Sequence, residues 1–113
     1  MHELSIAQSI LDTVVAEAQE HRAQRVVCVR LRIGELTAIV RDALTFSFEI
    51  LAKDTCAEGA VLDIEHVPWQ VRCGSCQLAY AVQQNELACP ACGATGGETI
   101  AGRELQILEM DVE

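Results

Sequence analysis

Four of the six cysteines fall in two matched pairs, Cys73-Gly74-Ser75-Cys76 and Cys89-Pro90-Ala91-Cys92. A CxxC turn aims two thiolates at one centre, and two such turns complete a four-cysteine shell, the usual closed cage for structural Zn2+. Twelve residues separate the pairs, slightly fewer than is common, but ample for a ribbon that doubles back. The competing readings are a redox CxxC, a disulfide pair and an iron–sulfur cluster; a redox motif of the thioredoxin kind would need a single CxxC beside a βαβ unit, not two facing each other. The spacing therefore predicts zinc held at Cys73, Cys76, Cys89 and Cys92, in a site that builds structure and leaves the chemistry elsewhere.

The second constellation is the start of the chain, Met1-His2-Glu3. The Met1 amine and the His2 backbone nitrogen close a five-membered chelate ring, and the His2 Nδ1 closes a six-membered ring on the same backbone nitrogen. Those three nitrogens occupy three corners of a square plane, which suits Ni2+ or Cu2+. The Glu3 carboxylate, a water or a distant histidine such as His66 would fill the fourth. Another plane uses the Met1, His2 and Glu3 nitrogens and leaves the imidazole axial. A histidine near a chain end is ordinarily just solvated. Two features favour His2 as a ligand: the initiator Met is normally kept before a bulky residue, and a helix begins directly behind it. An open, nitrogen-rich site surrenders its ion more readily than a closed cage of four thiolates, which separates cargo from structure.

These sites must be carried by a small protein. The chain has 113 residues, half of them apolar, with few aromatics and a net charge of −9. That is enough for an aliphatic core plus a small lobe. Zinc ribbons that bind nucleic acid need Lys and Arg to replace counterions, whereas Glu86 is the one charged residue between Cys73 and Cys92. Nucleic acid and membranes are therefore not expected as partners. No run of about eighteen apolar residues could span a bilayer, and the first residues lack the basic start of a signal peptide. With Cys28 and Cys56 left over from the metal cage, the reducing cytoplasm is the expected location.

Apolar periodicity supplies the elements. Leu4, Ala7, Leu11, Val14 and Ala18, with Ile10 and Val15 beside them, form a helical stripe ending near His21-Arg22. Ser5 with Gln8 has the form of a capping box, the alternative being a helix that begins earlier. Arg25 to Ile33 alternates as a half-buried strand closed by Gly34, with Cys28 expected as a small buried residue. A second helix follows Arg41-Asp42, with Leu44, Phe48 and Leu51 on its inner face and Phe46 and Ile50 making it broadly apolar. Val61 to Val67 reads as a strand broken by Pro68, and Glu104 to Val112 as another, after an exit marked by Gly93, Gly96, Gly97 and Gly102. The predicted class is α+β: a small mixed three-stranded sheet with two helices, plus an inserted zinc-ribbon-like lobe built on the four cysteines. Residues 1–68 and 99–113 would form the α/β domain, and 69–98 the zinc domain, too poor in apolar material to fold without its ion.

With both constellations in view, the chain resembles the HypA/HybF family of nickel-delivery proteins for [NiFe]-hydrogenase maturation. Met1-His2-Glu3-Leu4-Ser5, Arg32-Ile33-Gly34-Glu35-Leu36, Phe46-Ser47-Phe48-Glu49 and the four cysteines carry the resemblance along the whole length. It implies Ni2+ as transported cargo at His2, with the Met1 amine and backbone nitrogens, and Zn2+ on the cysteines. It also implies the GTPase HypB and the hydrogenase large subunit as partners, the protein itself being monomer or homodimer and not an enzyme. The absence of a G-x-x-x-x-G-K-[ST] loop fits GTP hydrolysis by a partner. Some relatives bring a zinc-lobe histidine near the nickel, and this chain has none after Cys73.

Two other readings compete. A zinc-ribbon interaction adaptor with no nickel role would make His2 incidental. A zinc or cysteine enzyme would need an open three-ligand motif such as H-E-x-x-H or a nucleophile–base pair, and neither occurs.

Overall fold

The computed structural model describes residues 2–113, and side chains from Glu3 onward. In chain order the elements are α1 (His2–Glu20), β1 (Val26–Gly34), a 3-10 turn (Glu35–Thr37), α2 (Arg41–Ala52), β2 (Val61–Val67), β3 (Gln70–Arg72), β4 (Ala79–Ala81), β5 (Glu98–Ala101) and β6 (Leu105–Val112). They form two three-stranded sheets, ordered β2-β1-β6 and β4-β3-β5. Packing divides the chain into two units. One comprises the chain through Arg32, Ile39–Glu65 and Gln106–Glu113; the other comprises Ile33–Ala38 and His66–Leu105. The α+β class with a four-cysteine lobe is the fold observed.

In the first unit α1 packs against α2. The predicted stripe supplies Ala7, Ile10, Leu11, Val14 and Ala18 to the core, and α2 supplies Leu44, Phe48 and Ala52. Burying each larger side chain contributes about 1.5–3 kcal/mol, so these faces, more than intrinsic propensity, keep the helices formed. Three expectations need correction. Leu4 is 42% exposed, because it lies on the first turn of α1. Ser5 sits inside a helix that already starts at His2, so it forms no capping box; Gln8 instead donates to Asp12 Oδ1 at 2.8 Å. On α2 the inner face ends on Ala52 with Leu51 half-buried, while Phe46 (64%) and Ile50 (48%) are exposed.

The strand β1 buries Val26, Val29 and Leu31. Cys28 is half-buried rather than buried, since it shares the alternation of Arg30 and Arg32. Those arginines tie the strands together: Arg30 reaches Asp63, Glu109 and Asp111, and Arg32 reaches Glu65 at 2.7 Å. The pairs Arg30–Asp63 and Arg32–Glu65 advance in the same direction along β1 and β2, as parallel strands require. At the start of β1, Arg25 exchanges backbone hydrogen bonds with Glu113, at 3.3 and 2.8 Å.

The second unit has its own close approach. A Cβ on Gly34 would collide with the backbone of Gly102 and Arg103. Gly34 N–H donates to Glu104 O, and Leu36 N–H to Gly102 O, both at 2.8 Å. Trp69 N–H is accepted by the Glu35 carboxylate at 3.1 Å. The glycine-rich exit from the cysteine region holds a strand: β5 lies between Gly97 and Gly102 and pairs antiparallel with β3, with a register shift between Gln70 and Val71.

Candidate metal centre

Each CxxC pair sits on a turn whose backbone aims it. Cys73 N–H donates to Leu78 O at 2.8 Å, and Gln77 N–H returns to Cys73 O at 3.0 Å. The second pair repeats the scheme: Cys89 N–H to Ala94 O at 2.9 Å, and Gly93 N–H to Cys89 O at 2.8 Å. Both turns close through a residue of positive φ four places after the first cysteine, Gln77 at 69° and Gly93 at 76°. The left-handed conformation is natural for Gly93 and costs Gln77 roughly 1–2 kcal/mol. Local sequence therefore sets the second turn, while the first is held by its surroundings.

Those surroundings are the small sheet. β3 pairs with β4, Val71 opposite Tyr80, and Val71, Cys73, Tyr80, Val82 and Cys89 form one buried cluster with Trp69 and Ala94 against it. The Tyr80 hydroxyl donates to Leu87 O at 2.6 Å, which satisfies its only polar atom and fixes the chain leading into Cys89. Trp69 Nε1–H donates to Thr99 Oγ1 at 3.1 Å, fastening β5. Burial, followed by the neighbouring cysteine charges, raises the Tyr80 pKa and keeps the phenol neutral.

The four sulfurs converge. All lie within 4.8 Å of one another, with Cys73 Sγ 3.5 Å from Cys92 Sγ and Cys76 Sγ 3.6 Å from Cys89 Sγ. Sulfurs about 2.3 Å from a tetrahedral zinc stand roughly 3.8 Å apart, so the donor set fits such an ion in number, element and spacing. Cys73 and Cys89 are buried, Cys76 and Cys92 exposed. The Cys76 and Ser75 N–H groups, against opposing burial, lower the Cys73 thiol to about 6. The Cys92 N–H, and secondarily that of Ala91, lower Cys89 in the same way. The later cysteines move oppositely. The Leu78 N–H pulls Cys76 down, but the Cys89 sulfur and burial outweigh it. The Ala94 N–H pulls Cys92 down, but Cys73 and burial carry it up to about 11. Four thiols this close cannot all ionise without a cation between them.

At the other candidate site, α1 begins at His2; Met1 and the His2 side chain, and with them the amine–imidazole chelate, lie outside the described residues. Glu3 Oε2 accepts the Val40 N–H at 3.2 Å. His66 is exposed on β2 and falls in the cysteine-bearing unit. His21 holds Glu17 O through Nδ1 at 2.9 Å, a local contact at the end of α1. Among the described residues the cysteine quartet is the one group of three or more metal-binding side chains.

Sequence reading missed the supporting residues Gln77, Tyr80 and Thr99, and took Gly97 only as a mark of the exit, whereas a Cβ there would strike Val71 and the Arg72 carbonyl. One signal was available: Gln77 and Gly93 stand at the same offset from Cys73 and Cys89.

Comparison with known proteins agrees along the whole chain. Residues 1–112 match the family described as hydrogenase/urease nickel incorporation metallochaperone, hypA. A hydrogenase maturation factor HypA from Dehalococcoides mccartyi strain CBDB1 is 42% identical over 113 residues, covering 100% of this chain and 95% of that one. Its counterpart in Geobacter metallireducens is 42% identical over 100% of both. The solution structure of the Ni metallochaperone HypA from Helicobacter pylori superposes with a TM-score of 0.65 at 20% identity, over 97% of this chain and 96% of that one. Another solution structure of a HypA protein gives 0.73 at 22%, over 100% and 97%.

Proposed function

Since this chain belongs to the HypA family of nickel-incorporation metallochaperones, we propose that it binds one Ni2+ at its N-terminus and delivers it for [NiFe]-hydrogenase maturation. The Met1 amine, the His2 backbone nitrogen and the His2 imidazole are the ligands in this reading. Helix α1 begins at His2 itself, which ties the proposed ligands to a regular element. Nickel is cargo, held in an open site and passed on by ligand exchange with an acceptor. The hydrogenase large subunit is the destination, and the GTPase HypB supplies the nucleotide hydrolysis. The protein is a carrier and not an enzyme, working in the cytoplasm; no described helix is long and apolar enough to cross a membrane.

Zinc takes the other role. The observation that carries this assignment is the convergence of four sulfurs within 4.8 Å on a hydrogen-bonded pair of turns. Such a cage has no open position for a reacting ligand. Cys73, Cys76, Cys89 and Cys92 would hold Zn2+ and thereby fold the lobe that presents a surface to partners. The metal supplies structure, and thiolate charge is neutralised in the process.

The two roles separate in one experiment. His2→Ala should abolish nickel binding and nickel-dependent hydrogenase maturation while leaving one zinc per chain. Cys73→Ser should remove the zinc and disorder the lobe. Maturation that survives His2→Ala but not Cys73→Ser would identify a zinc-ribbon adaptor without a nickel role.

A further inference from the structure

We propose that the Glu3 carboxylate is a latch that positions the nickel-binding terminus by tying the first turn of α1 to the start of α2, and that it is not a nickel ligand. This inference rests on the reading of His2 and the Met1 amine as the nickel site.

Helix α2 begins with a poor cap. Its N-cap is Val40, a hydrocarbon side chain that makes no cap hydrogen bond and one of the least suitable residues for that position. The Val40 carbonyl already serves the helix, accepting Leu44 N–H at 3.0 Å. Its N–H finds an acceptor thirty-seven residues away in sequence, Glu3 Oε2, at 3.2 Å. A carboxylate at that place also faces the positive end of the α2 dipole. Glu3 therefore supplies, through space, what Val40 cannot supply locally.

The consequence runs back to α1. The first turn of a helix has N–H groups without intrahelical partners and frays readily. In α1 that turn begins at His2, and Leu4 contributes little burial to hold it, being 42% exposed. The fully buried residues of α1 lie further along, beginning with Ala7. Glu3 thus ties the first turn of α1, ahead of buried Ala7, to the start of α2. A metal held by both carboxylate oxygens would take Oε2 from the Val40 N–H and release the turn it secures. Glu3 is a positioning residue, and its acceptor oxygen is what matters.

Glu3→Gln retains a carbonyl oxygen for Val40; Glu3→Ala removes it; both keep Met1 and His2. Nickel titration of the zinc-loaded full chain should give binding within about threefold of wild type for Glu3→Gln and about tenfold weaker for Glu3→Ala, the worth of a hydrogen bond to a charged group. Equal loss in the two variants, with one oxygen fewer around nickel by X-ray absorption, would make Glu3 a ligand and overturn the proposal. So would unchanged nickel affinity in Glu3→Ala. Amide hydrogen exchange on the nickel-free protein tests the latch independently. Val40 N–H should exchange at least severalfold faster in Glu3→Ala than in Glu3→Gln, and equal rates would overturn it. His2→Ala serves as the control: unaltered nickel binding there, with Val40 exchange still dependent on Glu3, would refute the amine–imidazole site and also the positioning role built on it.

Discussion

Cys73 Sγ and Cys92 Sγ lie 3.5 Å apart although they stand nineteen positions apart in the chain. The first cysteine of one turn thus meets the last of the other, and Cys76 meets Cys89 in the same crossed fashion at 3.6 Å. An ion placed among them cross-links the lobe in both directions. Removing any one ligand should therefore undo the whole lobe and not merely weaken it.

That consequence has a convenient reporter. Trp69 is the single tryptophan of the chain and packs against the buried cluster containing Cys73 and Cys89. Chelation of zinc, or Cys89→Ser, should shift its emission to longer wavelength as the ring meets water, and restoring zinc to the wild type should reverse the shift. Emission that stays fixed after zinc is shown to be gone would mean that the lobe folds without its ion.

Gly93 and Gln77 occupy equivalent left-handed positions, which sets up an asymmetric pair of substitutions. A Cβ at Gly93 meets nothing within 4 Å, so Gly93→Ala should cost only the backbone strain, about 1–2 kcal/mol. Gln77→Gly should be neutral or stabilising by up to ~1 kcal/mol, relief of strain being offset by a more flexible unfolded chain. Thermal unfolding of the zinc-loaded protein checks both signs.

Gly34 is restricted for a different reason. A methyl group there would meet the Gly102 backbone, and backbone cannot swing aside as a side chain can. Gly34→Ala should destabilise by about 2 kcal/mol or more, read from the urea midpoint. A cost below about 0.5 kcal/mol, the range of ordinary surface substitutions, would contradict the close approach.

The two phenylalanines make a sharper contrast. Phe48 is 1% exposed and Phe46 is 64% exposed, two residues apart on one helix. Phe48→Ala should cost about 3–5 kcal/mol through the lost burial and the cavity left behind. Phe46→Ala should fall within about 0.5 kcal/mol. Urea unfolding of the two variants side by side reads the difference.

Sequence alone disclosed much of this molecule, with uneven success. The cysteine quartet was legible because metal geometry dictates ligand spacing directly. β2 was legible at both ends, with Pro68 marking its close. The α1 stripe was correct wherever α1 packs, and failed at Leu4, where periodicity continues past the part of the helix that another element covers. Helical period alone also could not tell Leu51 from Ala52, or mark Phe46 and Ile50 as exposed, since that depends on where the neighbouring elements lie. The β4-β3-β5 sheet went unread because three- and four-residue strands give too few alternations to stand out. Its order is imposed by tertiary contacts such as Tyr80 with Leu87 and Trp69 with Thr99. The Glu3–Val40 bond spans two elements that only folding brings together.

Central to the proposed function is nickel bound by the chain's own amine together with His2, apart from the zinc cage. The most direct measurement compares nickel and zinc stoichiometry, by calorimetric titration and elemental analysis, for protein starting at Met1 and for a form with one extra residue before it. One zinc per chain is expected in both forms, with loss of nickel binding in the extended form, whose amine is displaced from the chelate. Equal nickel binding by the two forms would contradict the amine–imidazole site.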